Sequence, residues 1–104
     1  MNVLIIGSGA REHALGWKIK QSPLLGKLYF APGNPGTSTL GENLPVLPGD
    51  FQGIKSAVLC KEIHLMVVGP EGPLVEGISD FFASESALQQ VKVIGPKKAG
   101  AMLE

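Results

Sequence analysis

The sequence predicts an α/β fold in which an open parallel sheet of about five strands carries helices on both of its faces. Short apolar runs alternate with helical patterns along the whole chain, which is typical of a parallel sheet with right-handed crossovers. The apolar runs are continuous, as expected for strands that are buried on both faces. The 14 glycines and 8 prolines cluster in a few short loops, most of which directly follow a predicted strand.

Five segments are predicted as strands. The first and the fourth have the strongest apolar runs, and the second is rich in aromatic residues. The third is weaker, because Pro45 and Pro48 restrict it to the edge of a sheet. The predicted strands are residues 3–6, 27–31, 44–47, 64–68 and 91–94.

Helices are predicted between these strands over residues 11–21, 50–62 and 74–89, and residues 97–104 begin a further helical pattern. Asp50 is the expected N-cap of the second helix. Large apolar residues in helices usually face the core, so we expect Trp17 to be buried, and we expect Cys60 on the buried face of its helix.

Composition narrows the class of protein. A chain of 104 residues can form one compact domain. Lys+Arg and Asp+Glu number 9 each, so the formal net charge is zero and nothing resembles the basic face of a nucleic-acid-binding protein. The single cysteine and the lack of a signal peptide predict a cytoplasmic location. No apolar run approaches the roughly 20 residues that a membrane span needs.

Three glycine- or proline-rich loops follow predicted strands, at residues 7–10, 32–37 and 69–73. In an open parallel sheet, ligands bind at the carboxyl ends of strands, near the point where the strand order reverses. If the first and fourth strands are neighbours, all three loops face one crevice. Glycines let a phosphate approach backbone N–H groups, and a helix N-terminus adds partial positive charge. The sequence therefore predicts a site for a phosphorylated small molecule.

Charged residues in these loops suit a phosphosugar. Arg11 can bind phosphate oxygens with its guanidinium, and Glu12 and Glu71 can accept hydrogen bonds from sugar hydroxyls or an amine. The alternative is that Arg11 and Glu12 only solvate the first helical turn. The candidate substrate-binding residues are Gly7, Gly9, Arg11, Glu12, Gly33, Asn34, Gly36, Gly69, Pro70 and Glu71.

Two alternatives from other classes remain open at this point. A small NAD(P)-binding oxidoreductase domain would use a G-x-G-x-x-G loop, but Glu12 replaces the third glycine and no carboxylate ends the second strand to hold a ribose. A non-catalytic domain could use the same crevice to sense a nucleotide.

Metal binding and histidine catalysis have little support in the sequence. Cys60 and His64 supply only two ligands, which are too few for a zinc site. His13 is expected to be a packed or solvent-facing imidazole.

Three motifs together resemble one family along the whole chain, in order and in register. They are Gly7-Ser8-Gly9-Ala10-Arg11-Glu12-His13-Ala14, Ala31-Pro32-Gly33-Asn34-Pro35-Gly36-Thr37 and Val68-Gly69-Pro70-Glu71-Gly72-Pro73-Leu74. The sequence is similar to the N-terminal domain of the phosphoribosylamine–glycine ligases, also called glycinamide ribonucleotide synthetases. It departs from the family pattern at Ala10, where glycine is typical, and at Gly72, where alanine is common.

The resemblance implies a Rossmann-like pre-ATP-grasp domain, which in such enzymes helps to bind phosphoribosylamine. The family enzymes join this amine to glycine with ATP and Mg²⁺ (or Mn²⁺), in the biosynthesis of purines. We therefore expect residues 1–104 to be a single N-terminal domain, with the ATP-grasp and C-terminal domains absent from this chain. Such a fragment is expected to carry no catalytic residue or metal site, to bind no ATP, and to have little ligase activity alone.

Overall fold

The computed structural model describes residues 1–69 and 73–95. Within these ranges it contains one five-stranded sheet in the order β3-β2-β1-β4-β5, in which every neighbouring pair is parallel. The predicted fold class is thereby confirmed, and so is the predicted pairing of the first strand with the fourth. The strands are β1 (Val3–Gly7), β2 (Leu28–Pro32), β3 (Glu42–Asn43), β4 (Leu65–Val68) and β5 (Lys92–Ile94).

Three helices connect these strands, and they cover both faces of the sheet as predicted. Helix α1 packs on one face, where its Ile19 joins the core formed by the odd-numbered residues of β1, while α2 and α3 pack on the other face through Ile54 and Phe82. Among the described residues the helices are α1 (Ala10–Lys20), α2 (Phe51–Cys60) and α3 (Pro73–Ser84), and the helical pattern predicted at 97–104 lies outside them.

The predicted N-cap of α2 is confirmed, because the carboxylate of Asp50 accepts a hydrogen bond of 3.0 Å from the N–H of Gly53. The third helix is shorter than the predicted range of 74–89. It ends at Ser84, and a separate 3₁₀ turn follows at Ser86–Leu88. The side-chain amide of Gln89 donates to the carbonyls of Ala83 and Glu85, so it satisfies acceptors that a continuing helix would have used.

The third strand lies earlier than predicted. It pairs with β2 at Glu42 and Asn43, and the N–H of Leu44 still donates to the carbonyl of Phe30 at 2.7 Å. The next residue, Pro45, has no N–H to donate, so the ladder cannot continue into the predicted range of 44–47.

The expectations for Trp17 and Cys60 were wrong. The Trp17 side chain is 62% exposed, and Cys60 is exposed as well. On α1 the buried stripe runs through Glu12, Gly16 and Ile19, which lie at i, i+4 and i+7. Trp17 is turned about 100° away from Gly16 on the helix, so it lies outside that stripe. Cys60 is displaced by two residues, about 200°, from the buried Val58 of α2 and therefore faces solvent.

Within the described ranges, no helix has the length and the apolar character needed to cross a bilayer.

Gly16 lets α1 lie directly on β2. A Cβ placed on Gly16 would come within 2.8 Å of Cε2 of Phe30, whose side chain is fully buried and cannot move aside. We predict that Gly16→Ala lowers the free energy of unfolding by about 1–3 kcal/mol through overpacking, even though alanine favours the helix. Urea unfolding of the two proteins measures the difference.

The matched control for this prediction is Gly77→Ala in α3. A Cβ there would lie 3.2 Å from the ring of Phe51, which is only partly buried and can yield by a few tenths of an ångström. An equal loss of stability in both variants would show that contact with Phe30 is not the cause.

Candidate functional site

The strand order brings the predicted loops to one edge of the sheet. Because β1 lies between β2 and β4, the carboxyl ends of these three parallel strands are adjacent, and residues 7–10, 32–37 and Gly69 meet there. The point where the strand order reverses is between β1 and β4, which is where such sheets bind ligands. Pro70 and Glu71, the other predicted residues of the third loop, lie outside the described residues.

Hydrogen bonds from two donor groups join the first and second loops. The side-chain amide of Asn34 donates to the carbonyls of Ser8 at 2.8 Å and Gly9 at 3.4 Å, and the N–H of Gly33 donates to the carbonyl of Gly7 at 3.0 Å. Gly7 and Gly33 have φ values of 135° and 73°, a region that residues with a side chain rarely adopt. Their glycine identity is therefore explained by the turn of the backbone at each strand end.

A closed ring of hydrogen bonds fixes the shape of the second loop. The N–H of Asn34 donates to the Thr37 hydroxyl at 2.8 Å, the hydroxyl donates to Oδ1 of Asn43 at 2.7 Å, and Nδ2 of Asn43 donates back to the carbonyl of Asn34 at 2.9 Å. The Thr37 side chain is fully buried. The Oδ1 of Asn34 also accepts the N–H of Thr37, so both ends of the Asn34 side chain are bonded within the protein.

The sequence predicts Asn34 as a ligand contact and predicts no site role for Thr37 or Asn43. The structure shows Asn34 as the link between two loops, held by Thr37 and Asn43. The spacing Asn34-x-x-Thr37 is a signal for a local side-chain to backbone turn and could have identified Thr37. Asn43 could not be found in this way, because its contact depends on how β3 pairs with β2.

Arg11 connects the first loop to the third. Its Nη1 donates to the carbonyl of Gly69 at 3.2 Å, and the N–H of Gly69 donates to the carbonyl of Ile6 at 2.9 Å. Arg11 is exposed at the rim of the crevice, in the first turn of α1. A guanidinium in this position can meet an anion that approaches from solvent.

Glu12 is buried, with only 6% of its surface exposed. Its Oε2 accepts the N–H of Gly9 at 3.1 Å, which satisfies the residue that caps α1. The carboxyl group fills the space beside Gly7 and Gly69, since a Cβ on either glycine would lie within 2.6 Å or 2.7 Å of its Cδ. Gly7 and Gly69 thus leave room for an internal side chain.

The remaining predicted site residues lie around the Glu12 carboxyl group. The N–H groups of Gly9, Gly33 and Gly69 all donate to acceptors of the protein itself, so they are not directed at solvent here. Gly36 lies beside the partly buried imidazole of His13, which agrees with a packed histidine, because a Cβ on Gly36 would be 3.2 Å from its Cε1. The groups that line the open side of the first loop are the exposed residues 8–11.

No group of three or more His, Cys, Asp or Glu side chains lies close enough to hold a metal ion in the part of the chain that the structure describes.

Comparison with known proteins decides the family. The sequence model described as "Phosphoribosylglycinamide synthetase, N domain" matches residues 1–104. The chain belongs to this family. Proteins named phosphoribosylamine–glycine ligase are 52% identical over 104 residues in Mesorhizobium japonicum, 48% over 107 residues in Yersinia pestis and 43% over 106 residues in Nostoc sp.. Membership in the synthetase N-domain family confirms the resemblance stated above, and the comparisons do not support an oxidoreductase or a nucleotide-sensing domain.

Each of these matches covers the whole of this chain but 24% of the relative. The chain therefore spans about a quarter of the length of the curated relatives that it matches. The ligase activity in the names of these relatives is therefore the activity of proteins roughly four times as long as this chain.

The Asn34 side chain is the main link between the first two loops. We predict that Asn34→Ala lowers the free energy of unfolding by about 1–3 kcal/mol, because the partly buried N–H of Thr37 loses its acceptor and the exposed carbonyl of Ser8 loses a donor. Amide hydrogen exchange should also quicken together in residues 8–9 of the first loop and in Gly33, Asn34, Gly36 and Thr37 of the second.

The matched control is Ser38→Ala, which removes one hydrogen bond of 2.7 Å to the carbonyl of Pro35 within the same loop. If this variant loosens the first loop as much as Asn34→Ala does, the link through Asn34 is not what holds the two loops together.

Proposed function

We propose that this chain is the N-terminal, substrate-binding part of a ligase that joins 5-phosphoribosylamine to glycine with ATP, giving glycinamide ribonucleotide in purine biosynthesis. Membership in the synthetase N-domain family and the names of the relatives support this proposal. The observation that carries it is the convergence of three loops on the edge formed by β2, β1 and β4, where Asn34 and Arg11 tie them together.

The phosphate of the substrate binds at the rim of the crevice. Arg11 is the exposed cation of the first helical turn, and a guanidinium binds phosphate oxygens through two parallel hydrogen bonds. The N-terminus of α1 adds partial positive charge at the same place. These two features favour a single dianionic group above residues 8–11.

The ribose lies between the first and second loops. Residues 33–36 offer carbonyl oxygens that can accept a second hydrogen bond and small side chains, and their conformation is fixed by the Thr37 and Asn43 hydrogen bonds. Glu71 remains the predicted acceptor for the amine or a ribose hydroxyl. A rigid crevice of this kind holds the amine in one orientation, which lowers the entropic part of the barrier to its attack.

The chemical step takes place with groups from outside residues 1–104. The carboxylate of glycine takes the γ-phosphoryl group of ATP, which gives an acyl phosphate and releases ADP, with Mg²⁺ or Mn²⁺ assisting. The amine of phosphoribosylamine then attacks the carbonyl carbon and loses a proton, and inorganic phosphate leaves as the amide forms. We propose that ATP and the metal bind in ATP-grasp and C-terminal domains, that residues 1–104 form one domain which is inactive alone, and that the enzyme is cytoplasmic.

Titration with ribose 5-phosphate tests the binding role of this chain. We predict saturable shifts of the backbone amides of residues 8–11 and of Gly33, Asn34 and Gly36 in ¹H–¹⁵N spectra. Arg11→Met should weaken the affinity by roughly tenfold or more, since it removes charge-assisted hydrogen bonds to the phosphate.

The control variant is Lys27→Met, which removes one exposed cation at the start of β2, on the opposite edge of the sheet. It should bind ribose 5-phosphate like the unmodified chain. Equal weakening of the affinity in both variants would show that the effect comes only from net charge. Amide signals that do not shift in either loop would refute the proposed site.

A further inference from the structure

Glu12 stands out from the other charged residues that the structure describes, because it is the one whose side chain is buried. Its carboxyl group contacts Gly7 at the end of β1 and Gly69 after β4, and it accepts the N–H of Gly9. It therefore occupies the floor of the crevice at the place where the strand order reverses. Only glycine at positions 7 and 69 leaves enough space for it.

The surroundings of the Glu12 carboxyl group are of the kind that stabilises a bound anion. Glu12 is the third residue of α1, where a negative charge is stabilised by the positive end of the helix dipole and by the Gly9 hydrogen bond. In a dinucleotide-binding loop the corresponding residue is a glycine, and the pyrophosphate of the ligand lies against the loop and the helix N-terminus. Here a side chain of the protein supplies the negative charge in that place.

We propose that Glu12 determines the specificity of the crevice by excluding ligand phosphate from its floor. A second anion placed between the ends of β1 and β4 would meet a filled space and a like charge a few ångströms away. A ligand with one phosphate at the rim beside Arg11 avoids this position, whereas a dinucleotide must place its pyrophosphate there. Identifying the accepted ligand as a phosphosugar rests on the proposed function; the exclusion of pyrophosphate rests on Glu12 alone.

The experiment is a titration with inorganic pyrophosphate, followed at the backbone amides of Gly7 and Gly69 beside the Glu12 carboxyl group, because a phosphate at the rim already shifts the amides of residues 8–11. The chain itself should show no saturable shift at Gly7 or Gly69. Glu12→Gln keeps the shape of the side chain and removes its charge, so we expect roughly tenfold or greater tightening with a saturable shift of these two amides. Glu12→Ala also opens the floor and should bind more tightly than Glu12→Gln.

Two further variants separate charge from loosening of the fold. Glu12→Asp shortens the side chain but keeps its charge, so it should gain no affinity for pyrophosphate. Glu62→Gln removes an exposed carboxylate before β4, on the opposite edge, and should also gain none. A gain in both of these variants would overturn the proposal.

The unmodified chain tests the exclusion of pyrophosphate even if a Glu12 variant does not fold. Saturable binding of pyrophosphate at Gly7 and Gly69 in that chain, as tight as that of ribose 5-phosphate, would overturn the exclusion. Absence of ribose 5-phosphate binding would instead refute the proposed function, and a gain of pyrophosphate affinity in Glu12→Gln would still support the role of Glu12.

Discussion

The pairing of β1 with β2 on one side and with β4 on the other is the constraint on which the rest of the structure depends. It places three strand ends within hydrogen-bonding distance at one edge, so that Asn34 reaches the carbonyl of Ser8 and Arg11 reaches the carbonyl of Gly69. The chain must turn sharply at those ends, and glycine is the residue that permits this at positions 7 and 33. The shape of the crevice follows from the sheet.

Much of this arrangement could be predicted from the sequence, because it depends on local patterns. Apolar runs and the loops after them gave the strands and the convergence of the three loops, and Asp50 marked the start of α2. The third strand was misplaced, since the pattern near Leu44 did not reveal that pairing stops at Pro45. Trp17 and Cys60 were wrongly expected to be buried, because hydrophobic character alone does not say which stripe of a helix meets the sheet.

The roles of individual site residues were harder to predict because they depend on contacts distant in sequence. From the sequence, Glu12 is interpreted as a ligand contact or a solvated residue. The structure shows instead that it lies beside Gly69, which is 57 positions later in the chain. The same holds for Asn43, which completes the ring around Thr37. Both residues show that part of this glycine-rich site holds the protein's own polar groups, and we propose that Arg11 and the open face of residues 8–11 meet the ligand.

A crystal structure of the chain with ribose 5-phosphate is the most direct test of this account. A second possible binding site for the phosphate lies at the opposite edge of the sheet. It is a cavity of about 520 Å³ lined by residues that include Lys20, Lys27 and Glu42. We expect the phosphate within hydrogen-bonding distance of Arg11, the ribose against residues 33–36, and the Glu12 carboxylate still hydrogen-bonded to Gly9. A phosphate bound beside Lys20 and Lys27, or one that displaces Glu12 from the floor of the crevice, would contradict it.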